Sequence, residues 1–384
     1  MAPARYNMNK KSSYVGNLSE TVLNLNSEVD WKSQPMFFGE KSGLSRTDQI
    51  RYPIFHRLTE EQYSNYWRPH DIEISQDKLD YESLPANVKH VFVNNLAYQS
   101  LLDSAQSRAI LLAFLPWISN PELESCVKVW AFFEEIHNKS YEYILKNLFN
   151  DPTPFNDAIL KNKAIVSRAA SICSYYDDFI RFSNMIKVHG YSDSQTLFEH
   201  KRLAYIAMVS VYALESIRFY VTFAYTFAIA QQDVMLGNAK QMKMIARDET
   251  LHVGISLNIL KIWPKEDSDF LKIAELEKNT VSHIFDQCVQ EEKQWASYLL
   301  SEGSMLGINE TLMFGSIEAR ANARLKALGM DNRYSTKSDP FARWMANWMS
   351  TSSEQTAPQE TDKDDYKMST IDRDVDEDSL IIDF

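Results

Sequence analysis

Two copies of a Glu-x-x-His motif carry the clearest chemistry in this sequence. The first places Glu134 three residues before His137, and the second places Glu249 three residues before His252. Side chains three apart lie on the same face of a helix, so each pair can bind one metal ion. The residues around the first copy, from Trp130 onward, are largely apolar. A carboxylate on such a buried face is costly unless it is paired or coordinated, which favours metal binding over a chance pattern.

Two single acids complete a candidate ligand set. Glu215 lies in the segment 204–230, which is hydrophobic almost all round a helix. Asp103 lies in an otherwise apolar helix, but its signal is weaker because it has potential polar partners nearby in Gln99, Ser100, Gln106 and Ser107. Four carboxylates and two imidazoles on four helices match the ligand pattern of ferritin-like carboxylate proteins. Oxygen ligands with imidazole suit iron or manganese, and four negative charges balance two divalent ions.

The periodicity of the chain predicts the elements that would position these residues. Apolar residues at helical spacing predict helices over about 84–114, 122–149, 156–190, 195–231, 233–263, 265–302 and 309–328. No alternating run between them predicts a strand. We therefore expect an all-α fold, a ferritin-like helical bundle with extra helices that encloses a dinuclear metal site. The expected organisation is a flexible arm over 1–34, this helical domain over 35–350, and a disordered acidic tail over 351–384.

Charge and cysteine usage exclude several classes of protein. The net charge is −12, and residues 354–384 hold eleven acids against three bases, so this tail carries −8 and the body −4. No basic patch is evident, which argues against nucleic-acid binding, and the acidic tail favours a protein partner. The apolar stretch 203–214 is too short to span a membrane. Three widely spaced cysteines, Cys126, Cys173 and Cys288, indicate a reduced, cytoplasmic protein.

Beyond these patterns, the sequence resembles the small, radical-generating subunit of class I ribonucleotide reductase over about residues 35–384. The resemblance rests on several short segments in order: Pro35–Gly39, Trp67–Pro69, Leu101–Ser104, Trp130–Tyr141, Ala213–Tyr220 and Ala246–His252. By that resemblance two iron ions would be bound, with manganese as the alternative metal. Asp103, Glu134 and His137 would hold the first ion, and Glu215, Glu249 and His252 the second.

The same resemblance implies roles for residues around the metals. Tyr141, one helical turn after His137, would carry a stable tyrosyl radical inside an apolar pocket that includes Phe219, Phe223 and Ile245. Trp67 and Asp248 would form a radical relay joined to the metal through His137. Without the resemblance, Tyr141 would be an ordinary core residue, Trp67 an aromatic anchor, and Asp248 a partner for a nearby base.

The tail would complete the relay and contact a partner. Tyr366, and with a weaker match Glu360, would connect the relay to the large catalytic subunit. The last residues join an acidic stem to the apolar side chains Leu380, Ile381, Ile382 and Phe384, which suits docking on that subunit. A homodimer is implied by the resemblance alone.

Two other functions compete with this interpretation. A di-iron oxidase or desaturase acting on its own substrate is disfavoured by Asp103, Tyr141 and the tail. An iron-storage protein would have a much shorter chain. One departure from the family pattern is Phe133, which is bulkier than the residue expected beside Glu134, and no function is assigned to the arm before Pro35.

Overall fold

The computed structural model describes residues 28–349 apart from positions 31, 42 and 47, together with Asn24 and Asn26. Within these residues the chain is helical, and the only β contacts are two isolated bridges, Phe37 to Ile118 and Met305 to Ile308. The predicted arm over 1–34 is therefore described only in part. The predicted tail over 351–384 lies outside the described residues.

Thirteen α-helices follow one another in the described part of the chain. They are α1 (Pro53–Ser64), α2 (Ser75–Ser83), α3 (Ala86–Ala109), α4 (Pro121–Leu148), α5 (Thr153–Ile159), α6 (Lys163–His189), α7 (Ser194–Ala213), α8 (Phe219–Ala230), α9 (Leu236–Glu266), α10 (Ser268–Leu276), α11 (Lys278–Leu299), α12 (Glu310–Ala327) and α13 (Ala342–Met349). Single π-helical turns extend α3 over Ile110–Phe114 and join α7 to α8 over Leu214–Arg218.

Four of these helices enclose the centre of the molecule. Helix α3 packs against α4 and α8, and α9 packs against the same two helices from the other side. Every residue of α8 is buried, as the hydrophobic pattern around Glu215 predicts. The continuous helical stretch Ser194–Ala230 is long and apolar enough to cross a membrane by composition, yet its most apolar window is wholly buried in the bundle. Its apolar character is therefore that of a core helix.

Local sequence signals explain where the central helices begin. Asn120 caps α4 by accepting a hydrogen bond from the Leu123 amide at 2.9 Å, and Pro121 occupies the first turn, where its missing N–H is not needed. Asp193 caps α7 in the same way through the Thr196 amide. Helix α6 ends at Gly190, whose φ of 73° suits a residue without a side chain.

The predicted helix boundaries were wrong in three places. The segment 156–190 is two helices, because Asn162 caps a new helix by accepting from the Ala164 and Ile165 amides. The segment 265–302 is also two helices, which meet at Glu277. Helix α9 continues through Pro264 to Glu266, so that proline does not end it. Helices α1, α2 and α13 were not predicted.

Candidate metal centre

The six candidate ligands lie together in the interior of the bundle. They form two groups in which four ligand atoms lie within 4.8 Å of one another, one of Asp103, Glu134, His137 and Glu249 and the other of Glu134, Glu215, Glu249 and His252. Glu134 and Glu249 belong to both groups. The sequence pattern had assigned each of these glutamates to a single ion, whereas the structure places both between the two sites.

Hydrogen bonding at these residues is incomplete in a way that suits metal ions. Each of the six carries a buried atom that makes no well-aligned hydrogen bond among the described residues: Asp103 Oδ1, Glu134 Oε2, His137 Nδ1, Glu215 Oε2, Glu249 Oε1 and His252 Nε2. Of these, His137 Nδ1 and Glu249 Oε1 lie 3.2 Å apart. The other ring nitrogen of His252, Nδ1, faces Glu249 Oε2 at 3.0 Å and Glu134 Oε1 at 3.2 Å. A buried polar atom without a partner costs about 1–3 kcal/mol, so six in one place fit a site built to hold cations. The donor set suits two ions of the iron or manganese type.

The pKa shifts of the candidate ligands also favour bound cations. Burial, followed by the charge of Glu134, raises the pKa of Asp103 well above its usual range. Burial and Glu249 do the same for the pKa of Glu215. Burial alone would lower the pKa of His252, but Glu249 and Glu134 raise it to about 9. Without metal the site therefore retains protons, and bound cations would displace them.

The polar neighbours of Asp103 on its own helix have hydrogen-bond partners other than this carboxylate. Gln99 donates to Thr222 Oγ1, Ser100 to the Leu96 carbonyl and Ser107 to the Ser104 carbonyl. Gln106 donates to Glu215. None of these four side chains is hydrogen-bonded to Asp103.

Glu215 is presented by the π-helical turn between α7 and α8. Three residues later in the same turn, Arg218 is also buried and is ion-paired with helix α11, through Glu291 at 2.5 Å and Glu292 at 3.4 Å. Arg168 of α6 binds the same Glu292. These buried ion pairs fix the turn against its neighbours, and a π turn shifts the side chains after it relative to a regular helix.

Tyr141 lies one helical turn beyond His137 and is buried. Its hydroxyl donates to Asp103 Oδ2 at 2.7 Å. Burial, together with the negative charge of Asp103, raises the pKa of this phenol well above its usual value. Tyr141 is therefore a neutral phenol that is hydrogen-bonded directly to a candidate ligand.

A chain of hydrogen bonds leads from the site toward the surface. Trp67 Nε1 donates to Asp248 Oδ2 at 2.8 Å, and the same oxygen lies 3.3 Å from His137 Nε2. The other carboxylate oxygen of Asp248 accepts from Arg247 at 3.3 Å. The structure thus contains both the expected link from Trp67 to His137 and the ion pair considered as an alternative for Asp248.

Comparisons with known proteins identify the family. A family model described as "Ribonucleotide reductase, small chain" matches residues 46–340. The ribonucleoside-diphosphate reductase 1 subunit beta of Escherichia coli O157:H7 is 41% identical over 361 residues, which is 91% of this chain and 96% of the relative. The chain belongs to the small-subunit family of class I ribonucleotide reductases. It is accordingly a subunit of an oxidoreductase, a ribonucleoside-diphosphate reductase.

Other relatives agree with this assignment for the small subunit. The subunit beta of Enterobacteria phage T4 is 36% identical over 93% of this chain and 97% of the relative. Among solved structures, the ribonucleotide reductase R2 subunit from Clostridium botulinum matches with a TM-score of 0.71 and 25% identity, over 82% of this chain and 94% of that one. The predicted all-α, ferritin-like fold is confirmed.

The remaining predicted residues of the small subunit fall into two sets. Phe219, Phe223 and Ile245 are fully buried on α8 and α9, and the rings of Phe219 and Phe223 stack at 6.2 Å. Phe133, the departure from the family pattern, is buried beside Glu134. The tail residues Glu360 and Tyr366, and the four apolar residues at the end of the chain, lie outside the described residues.

Trp130 and Gln241 make contacts at or near the site that were not predicted. Trp130 Nε1 donates to Glu134 Oε1 at 2.8 Å and stacks on the His252 ring. Gln241 of α9 accepts from Ser140 and donates to the Pro69 carbonyl, which holds the segment after Trp67. The four-residue spacing of Trp130 and Glu134 could have indicated their contact. Contacts of Gln241 depend on how three separate segments pack, which the sequence does not reveal.

Proposed function

We propose that this small subunit generates a stable tyrosyl radical at Tyr141 and passes its oxidising equivalent to a large subunit that reduces ribonucleotides to deoxyribonucleotides. The observation that carries the proposal is the hydrogen bond from Tyr141 to Asp103, a residue of the first metal group. It places an oxidisable phenol one hydrogen bond from a candidate ligand. The other oxygen of Asp103 has no partner among the described residues and can bind the ion.

Two iron ions are the proposed cofactor, and manganese is the alternative. The solved dimanganese(II) NrdF protein of Streptococcus sanguinis shares the fold, with a TM-score of 0.60 and 20% identity over 79% of this chain and 98% of that one. When bound, two reduced ions supply the electrons that activate dioxygen, and the oxidised centre can then remove an electron from a phenol. Asp103, Glu134, His137, Glu215, Glu249 and His252 would hold the ions.

The surroundings of Tyr141 suit both steps of its role. When the phenol loses an electron it becomes strongly acidic, and Asp103 Oδ2, at 2.7 Å, is positioned to receive its proton. The radical must then be kept from water and reductants. Tyr141 is only 1% exposed, and Phe219, Phe223 and Ile245 add fully buried apolar surface on the neighbouring helices. We propose that these three side chains form the pocket of the radical.

Transfer to the large subunit would follow the hydrogen bonds through Asp248. His137, Asp248 and Trp67 form a continuous hydrogen-bonded path, and Trp67 is 7% exposed. The carboxylate of Asp248 can hold the indole and imidazole protons in place while an electron moves between the rings. We propose that Tyr366, on the acidic tail, extends this path to the large subunit.

The proposal is tested by loading the metal-free protein with ferrous iron, admitting dioxygen, and recording the electron paramagnetic resonance spectrum. A tyrosyl signal is expected in the wild type, and it should be lost in Tyr141→Phe while two irons per chain remain bound. Tyr143→Phe, a half-buried tyrosine on the same helix, is the matched control and should keep the signal. A signal with the wild-type line shape that persists in Tyr141→Phe would overturn the radical assignment.

We further propose that the protein acts in the cytoplasm as a homodimer bound to its large subunit through the tail. The three cysteines are all free, as suits a reducing compartment. Residues 35–350 would form the metal-binding domain, with an arm over 1–34 before it and a tail over 351–384 after it. Sedimentation of the isolated protein gives the oligomeric state directly, and a monomer would contradict the dimer.

A further inference from the structure

A second buried tyrosine is connected to the other half of the metal site. Tyr176 of α6 is 2% exposed. Its hydroxyl donates to Gln106 Oε1 at 2.8 Å, and Gln106 Nε2 donates to Glu215 Oε1. Each half of the site therefore has a single carboxylate linked to a buried tyrosine. Asp103 contacts Tyr141 directly, whereas Glu215 contacts Tyr176 through an amide.

The hydrogen bonds fix the orientation of this amide. A phenol has one proton to donate, and Gln106 Oε1 receives it. The NH₂ group of Gln106 then faces Glu215, where it donates to a carboxylate oxygen. With metal bound, Glu215 is ionised and its oxygens only accept. A flipped amide would place its oxygen against Glu215 and its NH₂ against the phenolic proton. The second oxygen of Glu215 has no hydrogen-bond partner among the described residues, so it is left for a metal ion.

The two tyrosines differ in what can receive their proton. Burial raises the pKa of Tyr176 well above its usual value, so its proton can leave only together with an electron. A carboxylate such as Asp103 can take that proton. A neutral amide oxygen is a poor base, and the amide cannot pass a proton from its oxygen to Glu215 without losing an N–H bond. Tyr176 therefore lacks an acceptor even though it is connected to the site.

We propose that Gln106 is a specificity-determining residue that confines oxidation to Tyr141 by separating Tyr176 from Glu215 with a group that cannot relay a proton. This inference rests on the proposed radical function of Tyr141. It assigns Tyr176 as a second tyrosine that is connected to the metal site but held in reduced form, and Gln106 as the residue that keeps it so.

Replacing the amide by a carboxyl group should remove the block. In Gln106→Glu, a protonated carboxyl can accept from Tyr176 on one oxygen and donate to Glu215 from the other. On oxidation, Tyr176 would give one electron to the dioxygen-oxidised iron centre. The phenolic proton of Tyr176 would move to the introduced carboxyl group, and that group would pass its own proton to Glu215. Tyr176 would then be a neutral phenoxyl radical, because it has lost one electron and one proton.

The experiment compares variants in a Tyr141→Phe background by rapid-freeze electron paramagnetic resonance after addition of ferrous iron and dioxygen. Tyr141→Phe with Gln106→Glu should give a tyrosyl signal at least about tenfold stronger than Tyr141→Phe alone, since a positioned proton acceptor contributes at least that much to the rate. Adding Tyr176→Phe should abolish the signal. Tyr141→Phe with Gln106→Met, which has a similar volume and no relay, should stay silent. Ring-deuterated tyrosine confirms the radical type.

The variants separate failure of the proposed role of Gln106 from failure of the proposed radical function of Tyr141. A Tyr176 radical in Tyr141→Phe with Gln106 intact would overturn the proposal, whether or not Gln106→Glu folds. The absence of a signal in Tyr141→Phe with Gln106→Glu would also overturn it, provided that this variant binds two irons per chain. The wild type is measured in parallel. If it forms no tyrosyl radical, the proposed function fails, whereas a normal wild-type signal confines any failure to the role of Gln106.

Discussion

Glu134 and Glu249 differ from the other candidate ligands in the number of partners they have. Glu134 approaches His137 at 3.7 Å through Oε2 and His252 at 3.2 Å through Oε1. Glu249 approaches His137 at 3.2 Å through Oε1 and His252 at 3.0 Å through Oε2. Each carboxylate therefore directs one oxygen toward each imidazole, so these two glutamates can bridge the ions.

This difference predicts unequal effects of single substitutions on metal binding. Glu134→Gln or Glu249→Gln should weaken both sites, by roughly 100-fold or more, because even residues that only support a ligand change affinity by about 10–100-fold. Asp103→Asn or Glu215→Gln should weaken mainly one. Anaerobic ferrous titration with metal analysis measures the two sites. Asp286→Asn, which removes a carboxylate far along the chain on α11, is the control, and equal losses in all four variants would contradict bridging.

Residue types indicate which side chains are candidate ligands, but not how the two groups share them. The spacing of Glu134 and His137 is a property of one helix, so it can be read from the sequence. Which oxygen of Glu249 faces His137 depends on the distance and rotation between α4 and α9. The contact of Gln106 with Glu215 likewise depends on how α3 packs against the π turn before α8. Such contacts between helices leave no local signal.

At the scale of elements, the helix ends that depend on local chemistry can be read from the sequence. Asn120 with Pro121 and Asp193 are readable caps. The break at Asn162 has a readable cap as well, although the periodicity suggested one continuous helix. The junction of α10 and α11 at Glu277 has neither glycine nor proline, and nothing in the sequence marks it. The π turn that presents Glu215 is equally unmarked.

His200 connects several elements near the start of α7. Its ring lies among Phe38, Trp117, Phe179 and Phe182, with centroids 4.4–5.5 Å away. Ser183 Oγ lies 2.8 Å from its Nε2 and Tyr191 Oη 2.9 Å from its Nδ1. This aromatic surround favours a neutral imidazole, and burial lowers the pKa of His200 to about 3.

The free energy of unfolding should therefore have a pH-dependent contribution from His200. In the unfolded chain a histidine has a pKa of about 6.5, so between pH 6.5 and 3 the unfolded state binds more protons than the folded state. The stabilising contribution of the neutral His200 is therefore lost as the pH falls through this range. By pH 5 the loss is about 2 kcal/mol. The free energy of unfolding of the metal-free protein, measured with urea at pH 7 and pH 5, should fall by that much more in the wild type than in His200→Gln. The same fall in both proteins would contradict the prediction.

At the scale of the whole molecule, the sequence suggests separate tasks for the described helical body and the tail. The body holds the candidate metal centre and the inner part of the proposed relay. The tail has a charge of −8 over 354–384 and ends in four large apolar residues. An acidic stem keeps a segment soluble, whereas apolar residues at its end suit binding to a groove on a partner. The sequence alone suggests this division, since these residues lie outside the described structure.

Deletion of residues 366–384 should leave iron binding and the tyrosyl signal unchanged but abolish turnover with the large subunit. Fully burying an apolar side chain contributes about 1.5–3 kcal/mol, so four partly buried anchors give at least about 3 kcal/mol, or roughly a 100-fold change in affinity. Replacing Leu380, Ile381, Ile382 and Phe384 by serine tests this within a tail of full length and charge. Binding to the large subunit should weaken to the same extent as in the deletion.

Tyr366→Phe separates docking from electron transfer in the same assay. If Tyr366 only extends the relay, this variant should bind the large subunit with wild-type affinity, retain the tyrosyl signal, and yet lose turnover. A phenyl ring preserves the shape of the side chain but cannot be oxidised at the potential of a phenol. Wild-type turnover in Tyr366→Phe would remove this residue from the path, and unchanged binding by the serine variant would remove the apolar end from the docking site.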